Sequence, residues 1–343
     1  MPGTCQNPNC PVATTQKCLL SHPTLAECPH YKADGATAPA VADEPVQAVM
    51  PSKPASPELP ARRSAARTFH AGIELGTSDA AEILRSRYGH VIAVLGSTDV
   101  GKTCFLCSLY LMATSGSLPA RYIFGGSRSL QAFEDRARGL RKWTDGKLAK
   151  QMVDHTVLAD PRKPSLLHFG LREAAGDRKR IDLLLTDLPG EWTNDLVKRE
   201  SAAQQFGFMP RADGVILVVD GKLLLDNATR HTIVQDLTYF ADRLANAVKV
   251  DKDIPIVLLI SKSDEIGLTI PPAAQELAET IKGHGYRVKI ISAAALSRDP
   301  DNFKNGTGVL EAIEAIIDDA AVSRESTNHS SDNGGRSFGR FRG

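Results

Sequence analysis

The sequence predicts an α/β fold: a doubly wound, mostly parallel sheet with helices on both faces. Three observations predict it. Short, unbroken apolar runs such as 214–219 (GVILVV) and 254–260 (IPIVLLI) lack polar alternation, which marks strands buried on both faces. Stretches of helical pattern separate these runs, as crossover connections between parallel strands require. The first run, 91–95 (VIAVL), opens onto a glycine-bounded loop, Gly96–Thr103 (GSTDVGKT), and then onto an apolar helical stretch.

In chain order, residues 1–31 are polar and hold four of the six cysteines, Cys5, Cys10, Cys18 and Cys28, with neither helical nor strand period. Such a segment needs a staple to fold. Tetrahedral Zn²⁺ is the economical one in a reducing compartment, with His22 and His30 as alternative ligands and free thiols as the plain alternative. Residues 32–67 are rich in Ala, Pro, Val and Ser and predict an extended linker. Order is expected from 68 to 322. The run TSDAAEILRSRY starts with capping residues Thr77, Ser78 and Asp79 and predicts a short helix into the first strand. Further strands are expected at 166–172, 181–186, 214–220, 255–261 and 287–291, and helices at 103–113, 129–151, 226–247, 272–282 and 307–321. The closing stretch, 323–343, is Ser/Gly/Asn/Arg-rich and is expected to be disordered.

The loop carries the chemistry. GSTDVGKT has the full G-x-x-x-x-G-K-[ST] spacing, placed after a strand and before a helix. Backbone N–H groups of Gly96, Ser97, Thr98, Asp99, Val100, Gly101 and Cys104, together with the helix N-terminus, make a cradle for a polyphosphate. Lys102 is expected to reach the terminal phosphates and the Thr103 hydroxyl to bind Mg²⁺. Cys104 and Cys107 show C-x₂-C spacing on the same helix and are read as core packing. Asp187–Gly190 (DLPG) ends the strand 181–186: Asp187 would hold Mg²⁺ through a water, and Gly190 would offer its N–H to a γ-phosphate, unless the segment is only a turn. Ser261–Asp264 (SKSD) ends the strand 255–261. There Asp264 would accept hydrogen bonds from guanine N1–H and its amino group, and the Lys262 stem would lie along the base; a solvated turn is the alternative. Ser292 and Ala293 follow the last strand, where small side chains let the backbone approach the base.

In this order these segments resemble the P-loop GTPases of the translation-factor-related class. The resemblance implies that Lys102 and Thr103 serve phosphate and Mg²⁺, that Asp187 and Gly190 form the second switch, and that Lys262 and Asp264 read guanine. The lead-in FHAGIELGTSDAAEILRSRYGHVIAVLGSTDVGKT, the DLPGEW segment and the cysteine-rich head look like the bacterial double-GTPase family. That likeness implies a GTP-hydrolysing switch, working beside a second GTPase in a conflict or signalling system. Two departures stand out. Ser261 replaces the usual Asn or Thr and keeps only a hydroxyl; an Asn amide would also brace the phosphate loop, so a looser base pocket is expected. Glu191 replaces a water-positioning Gln, which predicts slow hydrolysis and keeps open a GTP-binding scaffold that recruits a partner. An ATPase survives only if SKSD is a plain turn. Asp99 is expected to be an exposed loop acid, although some related GTPases use this position toward a monovalent cation. The first switch needs a hydroxyl before the strand 166–172, and Thr156 and Ser165 both qualify.

Bulk properties exclude other classes. The formal net charge is +1 over 343 residues, so no global field draws the chain to nucleic acid or anionic lipid. Apolar runs are too short to span a bilayer, and the N-terminus lacks a secretory pattern, so a cytoplasmic location is expected. The basic stretch Arg136, Arg138, Arg141, Lys142 and Lys147, around Trp143, is expected to be a solvated helix face, with one arginine acting as a finger in cis as the alternative. It lacks the interleaved aromatics of a nucleic-acid surface.

Overall fold

The structure, a computed structural model, describes residues 3–5, 31–33, 70–138 and 164–329. The chain divides into two compact units, Met1–Ala66 and Arg67–Gly343. In the first unit, strands β1 (Gly3–Cys5) and β2 (Tyr31–Ala33) pair antiparallel, with Cys5 opposite Tyr31. This short ladder forms although the sequence of the head shows no strand period. Cys10, Cys18, Cys28, His22 and His30 lie outside the described residues, as does nearly all of the linker.

The second unit contains a seven-stranded sheet in the order β4-β5-β6-β3-β7-β8-β9. Its strands are β3 (Gly89–Leu95), β4 (Tyr122–Gly126), β5 (Leu166–Glu173), β6 (Arg180–Thr186), β7 (Gly214–Asp220), β8 (Pro255–Ser261) and β9 (Arg287–Ser292). Pairs β6-β3-β7-β8-β9 run parallel, and β4-β5-β6 run antiparallel. The central strands β3, β7 and β8 are buried at every position.

Helices cover both faces: α1 (Thr77–Ser86), α2 (Lys102–Thr114), α3 (Leu130–Ala137), α4 (Gly190–Lys198), α5 (Gly221–Leu225), α6 (Arg230–Asn246), α7 (Ser263–Ile266), α8 (Pro272–Gly283) and α9 (Val309–His329). The strand period of two divides the core. Ile92, Val94, Ile216 and Val218 pack with Phe105 and Leu109 of α2, Phe133 of α3 and Ile313 of α9. The alternate residues Ala93, Leu95, Val215 and Leu217 pack with Trp192 of α4, Phe240 of α6 and Leu277 of α8. Each of the Val, Leu, Ile and Phe side chains among them contributes about 1.5–3 kcal/mol of burial.

Three boundaries differ from expectation. The helix predicted at 226–247 begins only at Arg230, because Asp226 turns the chain by accepting hydrogen bonds from Ala228 N and the Thr229 hydroxyl, and the separate short helix α5 precedes that turn. The helix predicted at 129–151 is described only as far as Arg138. The last helix runs on to His329, so residues 323–329 of the expected tail are helical; the remainder lies outside the described residues.

Candidate functional site

Parallel strands deliver their connecting loops to one edge of the sheet, and the predicted segments gather there. β3 sits between β6 and β7, where the connections turn to opposite sides. Such a switch point opens a crevice at the carboxyl ends of the strands. The loop 96–101 leaves β3 at this point. Gly96 (φ 145°) and Gly101 (φ 100°) adopt backbone angles that suit glycine, and a Cβ on Gly96 would collide with the Val218 carbonyl. Asp99 (φ 61°) takes the left-handed conformation that aspartate tolerates. Thr186, at the end of β6, accepts a hydrogen bond from Val94 N (2.9 Å), and Thr193 of α4 accepts one from Gly96 N (3.3 Å).

Lys102 is folded onto this loop. Its ammonium donates to the carbonyls of Gly96 (3.0 Å) and Ser97 (2.7 Å), and only 8% of the residue is exposed. Burial lowers its pKa to about 8, against the opposing pull of Asp187, Glu191 and Asp99. Cys107 lies in the core and Cys104 packs against it; burial raises both thiol pKa values, in keeping with a packing role.

The DLPG segment lies directly against the loop. Gly190 packs so closely on the Thr98 backbone that no side chain fits. Glu191 faces the Thr98 hydroxyl (3.5 Å), which also accepts from Asn194 Nδ2 (3.4 Å). The carboxylate is thus turned to the loop's own hydroxyl. Asp187 is buried; its N–H donates to Ser165 O (3.1 Å), and its carboxylate accepts from Arg136 Nε (2.5 Å). Arg136 is therefore not the solvated residue that the basic stretch suggested but a largely covered guanidinium whose other end binds Glu74. The opposed carboxylates outweigh burial and raise its pKa. Arg138 is exposed on the same helix and pairs with Asp135, while Arg141, Lys142, Trp143 and Lys147 lie outside the described residues. Of the two first-switch candidates, Thr156 also lies outside them. Ser165 is described, and its Oγ is buried without a hydrogen-bond partner.

On the other side, β8 ends at Ser261, whose hydroxyl is in reach of Val100 O (2.6 Å) and Val219 O (3.1 Å). The serine hydroxyl therefore itself ties the end of β8 to the phosphate loop. Lys262 (φ 58°) turns the chain and pairs with Asp220, which caps α5 through the N–H groups of Lys222 and Leu223. Asp264 accepts the Arg298 backbone N–H (2.7 Å). Ser292 and Ala293 adjoin: Ala293 N donates to Ile260 O (2.7 Å), and Ser263 N donates to Ala293 O (3.0 Å). Among the described residues, no cluster of three or more His, Cys, Asp or Glu has metal-holding geometry, and no helix is long and apolar enough to cross a membrane.

Comparison with known proteins agrees with this arrangement. The family model described as Double-GTPase 2 matches residues 90–317, from β3 into α9. The chain belongs to that family. The double-GTPase likeness drawn from the sequence is thereby met, and Double-GTPase 2 membership supports GTP binding and, at the level of the family, GTP hydrolysis. No curated protein matches the sequence. Among solved structures, a mutation variant of SsGBP is 14% identical at a TM-score of 0.35, over 72% of this chain and 60% of that one. The chain thus spans under two thirds of that protein's length. A nucleolar GTP-binding protein 1 from Plasmodium falciparum is 13% identical at a TM-score of 0.38, over 70% of this chain and 91% of that one.

Proposed function

We propose that this Double-GTPase 2 member is a Mg²⁺-dependent GTP-binding switch that hydrolyses GTP to GDP and phosphate. One observation carries the reading: the phosphate loop, DLPG, SKSD and Ser292–Ala293 converge at the carboxyl ends of β3, β6, β8 and β9. In this reading the ammonium of Lys102 leaves the Gly96 and Ser97 carbonyls for the β- and γ-phosphates. The loop N–H groups and the α2 N-terminus hold the remaining charge. Gly190 N–H meets the γ-phosphate, and Asp264 exchanges or supplements the Arg298 N–H with the guanine edge. Thr103 and Asp187 hold the metal. The residues fit it: Asp187 is buried, its backbone N–H bonds the Ser165 carbonyl, the Ser165 hydroxyl is buried without a hydrogen-bond partner, and hard oxygen donors suit Mg²⁺. When bound, the metal neutralises charge developing on the phosphates.

Calorimetric titration tests this site. Lys102→Ala is expected to abolish nucleotide binding, and Asp264→Asn to erase the preference for GTP over ATP. Retained GTP affinity in the first variant, or equal GTP and ATP affinity in the parent, would overturn the reading. A GTP-holding scaffold is the second reading, favoured by Glu191 where a water-positioning amide would serve hydrolysis. Phosphate release in a single turnover separates the two. A zinc-held head built on Cys5, Cys10, Cys18 and Cys28, recruiting a protein partner such as a second GTPase in a conflict or signalling system, completes the proposal. Elemental analysis and affinity capture test it.

A further inference from the structure

The lead-in segment, residues 70–75, reaches the candidate metal site. Its backbone is pinned twice: Gly72 O accepts Ala132 N of α3 (2.9 Å), and Leu75 pairs with Leu166 at the start of β5 through two hydrogen bonds (2.9 and 3.0 Å). Between these two anchors lies Glu74, whose carboxylate binds Arg136. Arg136 spends its donors on three protein acceptors: Nε on Asp187 Oδ2, one terminal nitrogen on Glu74, the other on Ala132 O (3.0 Å). The Asp187 side chain is 0% exposed and that of Arg136 12%. With all three of its nitrogens engaged by protein acceptors and most of its side chain covered, the guanidinium is held away from a phosphate in this arrangement, which favours a role other than the finger. A planar fork held at both ends instead fixes the orientation of the carboxylate it grips.

We propose that Arg136 and Glu74 are positioning residues of the metal site: Arg136 orients the Asp187 carboxylate, and Glu74, fixed by the lead-in segment, orients Arg136. The inference rests on the metal reading given above. Metal-binding carboxylates depend on the groups that hydrogen-bond them from behind, and loss of such a group costs about 10–100-fold in metal affinity.

The test is the gain in affinity for a non-hydrolysable GTP analogue when Mg²⁺ replaces EDTA, measured by calorimetry on the full chain. Arg136→Lys keeps the charge but not the fork, and should shrink the gain by about 10–100-fold. Glu74→Gln should shrink it by about tenfold while leaving affinity in EDTA at the parental value and the protein folded in a thermal scan. A structural defect would instead lower affinity in EDTA as well. Asp187→Asn is the reference for loss of the metal contact. If it loses the gain while Arg136→Lys and Glu74→Gln keep it, the positioning role is overturned. If the parent shows no gain, or Asp187→Asn keeps it, the metal reading itself fails and takes the proposal with it. Should Arg136→Lys not fold, Glu74→Gln decides alone.

Discussion

At Lys102, burial has a consequence that solution chemistry can read. With a pKa near 8 in the nucleotide-free protein, the ammonium is protonated below that pH, and binding a polyphosphate then takes up no proton. Above it, the amine must be recharged by binding, because the phosphates favour the cation. The dissociation constant is therefore expected to be flat from pH 6.5 to 7.5 and to rise toward tenfold per unit beyond about pH 8. Calorimetry at pH 8.5 in two buffers of different ionisation enthalpy should register proton uptake, and none would refute the pKa-based account. Ser261 allows a second prediction. Ser261→Ala strips the hydroxyl from the buried Val100 carbonyl and should cost about 1–2 kcal/mol of stability in a denaturant titration, together with weaker nucleotide binding. Lys102 was legible in the sequence because its motif is local. Arg136 was not, since its partners Glu74 and Asp187 lie 62 and 51 positions away and only the fold brings them together.

Among the elements, α4 couples two of the predicted segments most tightly. It begins at Gly190, packed on the backbone of Thr98, and its Thr193 and Asn194 bond the phosphate loop. A methyl group at position 190 meets backbone rather than a yielding side-chain end, so Gly190→Ala must lift the start of α4 off the loop. Hydrogen exchange should show faster amide exchange across residues 190–198 in that variant, while β3 and β7 stay protected; unchanged exchange would mean that the contact is dispensable. The helix itself escaped the sequence reading, because GEWTNDLVK is nine residues long and opens on glycine, a weak helix former. β4 escaped for a related reason. Tyr122–Gly126 is an edge strand with two glycines and with Ile123 and Phe124 exposed, so neither an unbroken apolar run nor a clean alternation marks it. The central strands were legible because burial on both faces demands the continuous apolar runs by which they were recognised.

Across the whole molecule, the far end of the sheet holds a charge network with no motif to announce it. Asp182, at the start of β6, is 1% exposed and is held by His168 Nε2 (2.8 Å), Arg180 Nε (3.0 and 3.1 Å) and Arg87. The N–H of Arg128 donates to His168 Nδ1 (2.9 Å), so the ring carries its proton on Nε2 and donates it to the carboxylate. Burial alone would raise the pKa of Asp182. The His168 hydrogen bond and the Arg180 and Arg87 guanidiniums overcome that and bring it to about 2, below the ordinary 3.8. A depressed carboxylate stabilises the fold above its unfolded pKa, and that contribution fades as pH falls through its folded value. The parent should therefore lose about 2 kcal/mol between pH 4 and pH 2 through this group. Asp182→Asn should be less stable at neutral pH, where it strands two guanidiniums, yet lose less of its remaining stability over the same acid interval. Urea titrations at pH 7, 4, 3 and 2 give both slopes, and parallel acid profiles for parent and variant would show that the network does not govern acid stability. The network joins α1, β5 and β6 at the end of the sheet remote from the nucleotide crevice. Nucleotide affinity of Asp182→Asn at neutral pH is accordingly expected to match the parent, which separates what holds the sheet together from what the loops at its other end bind.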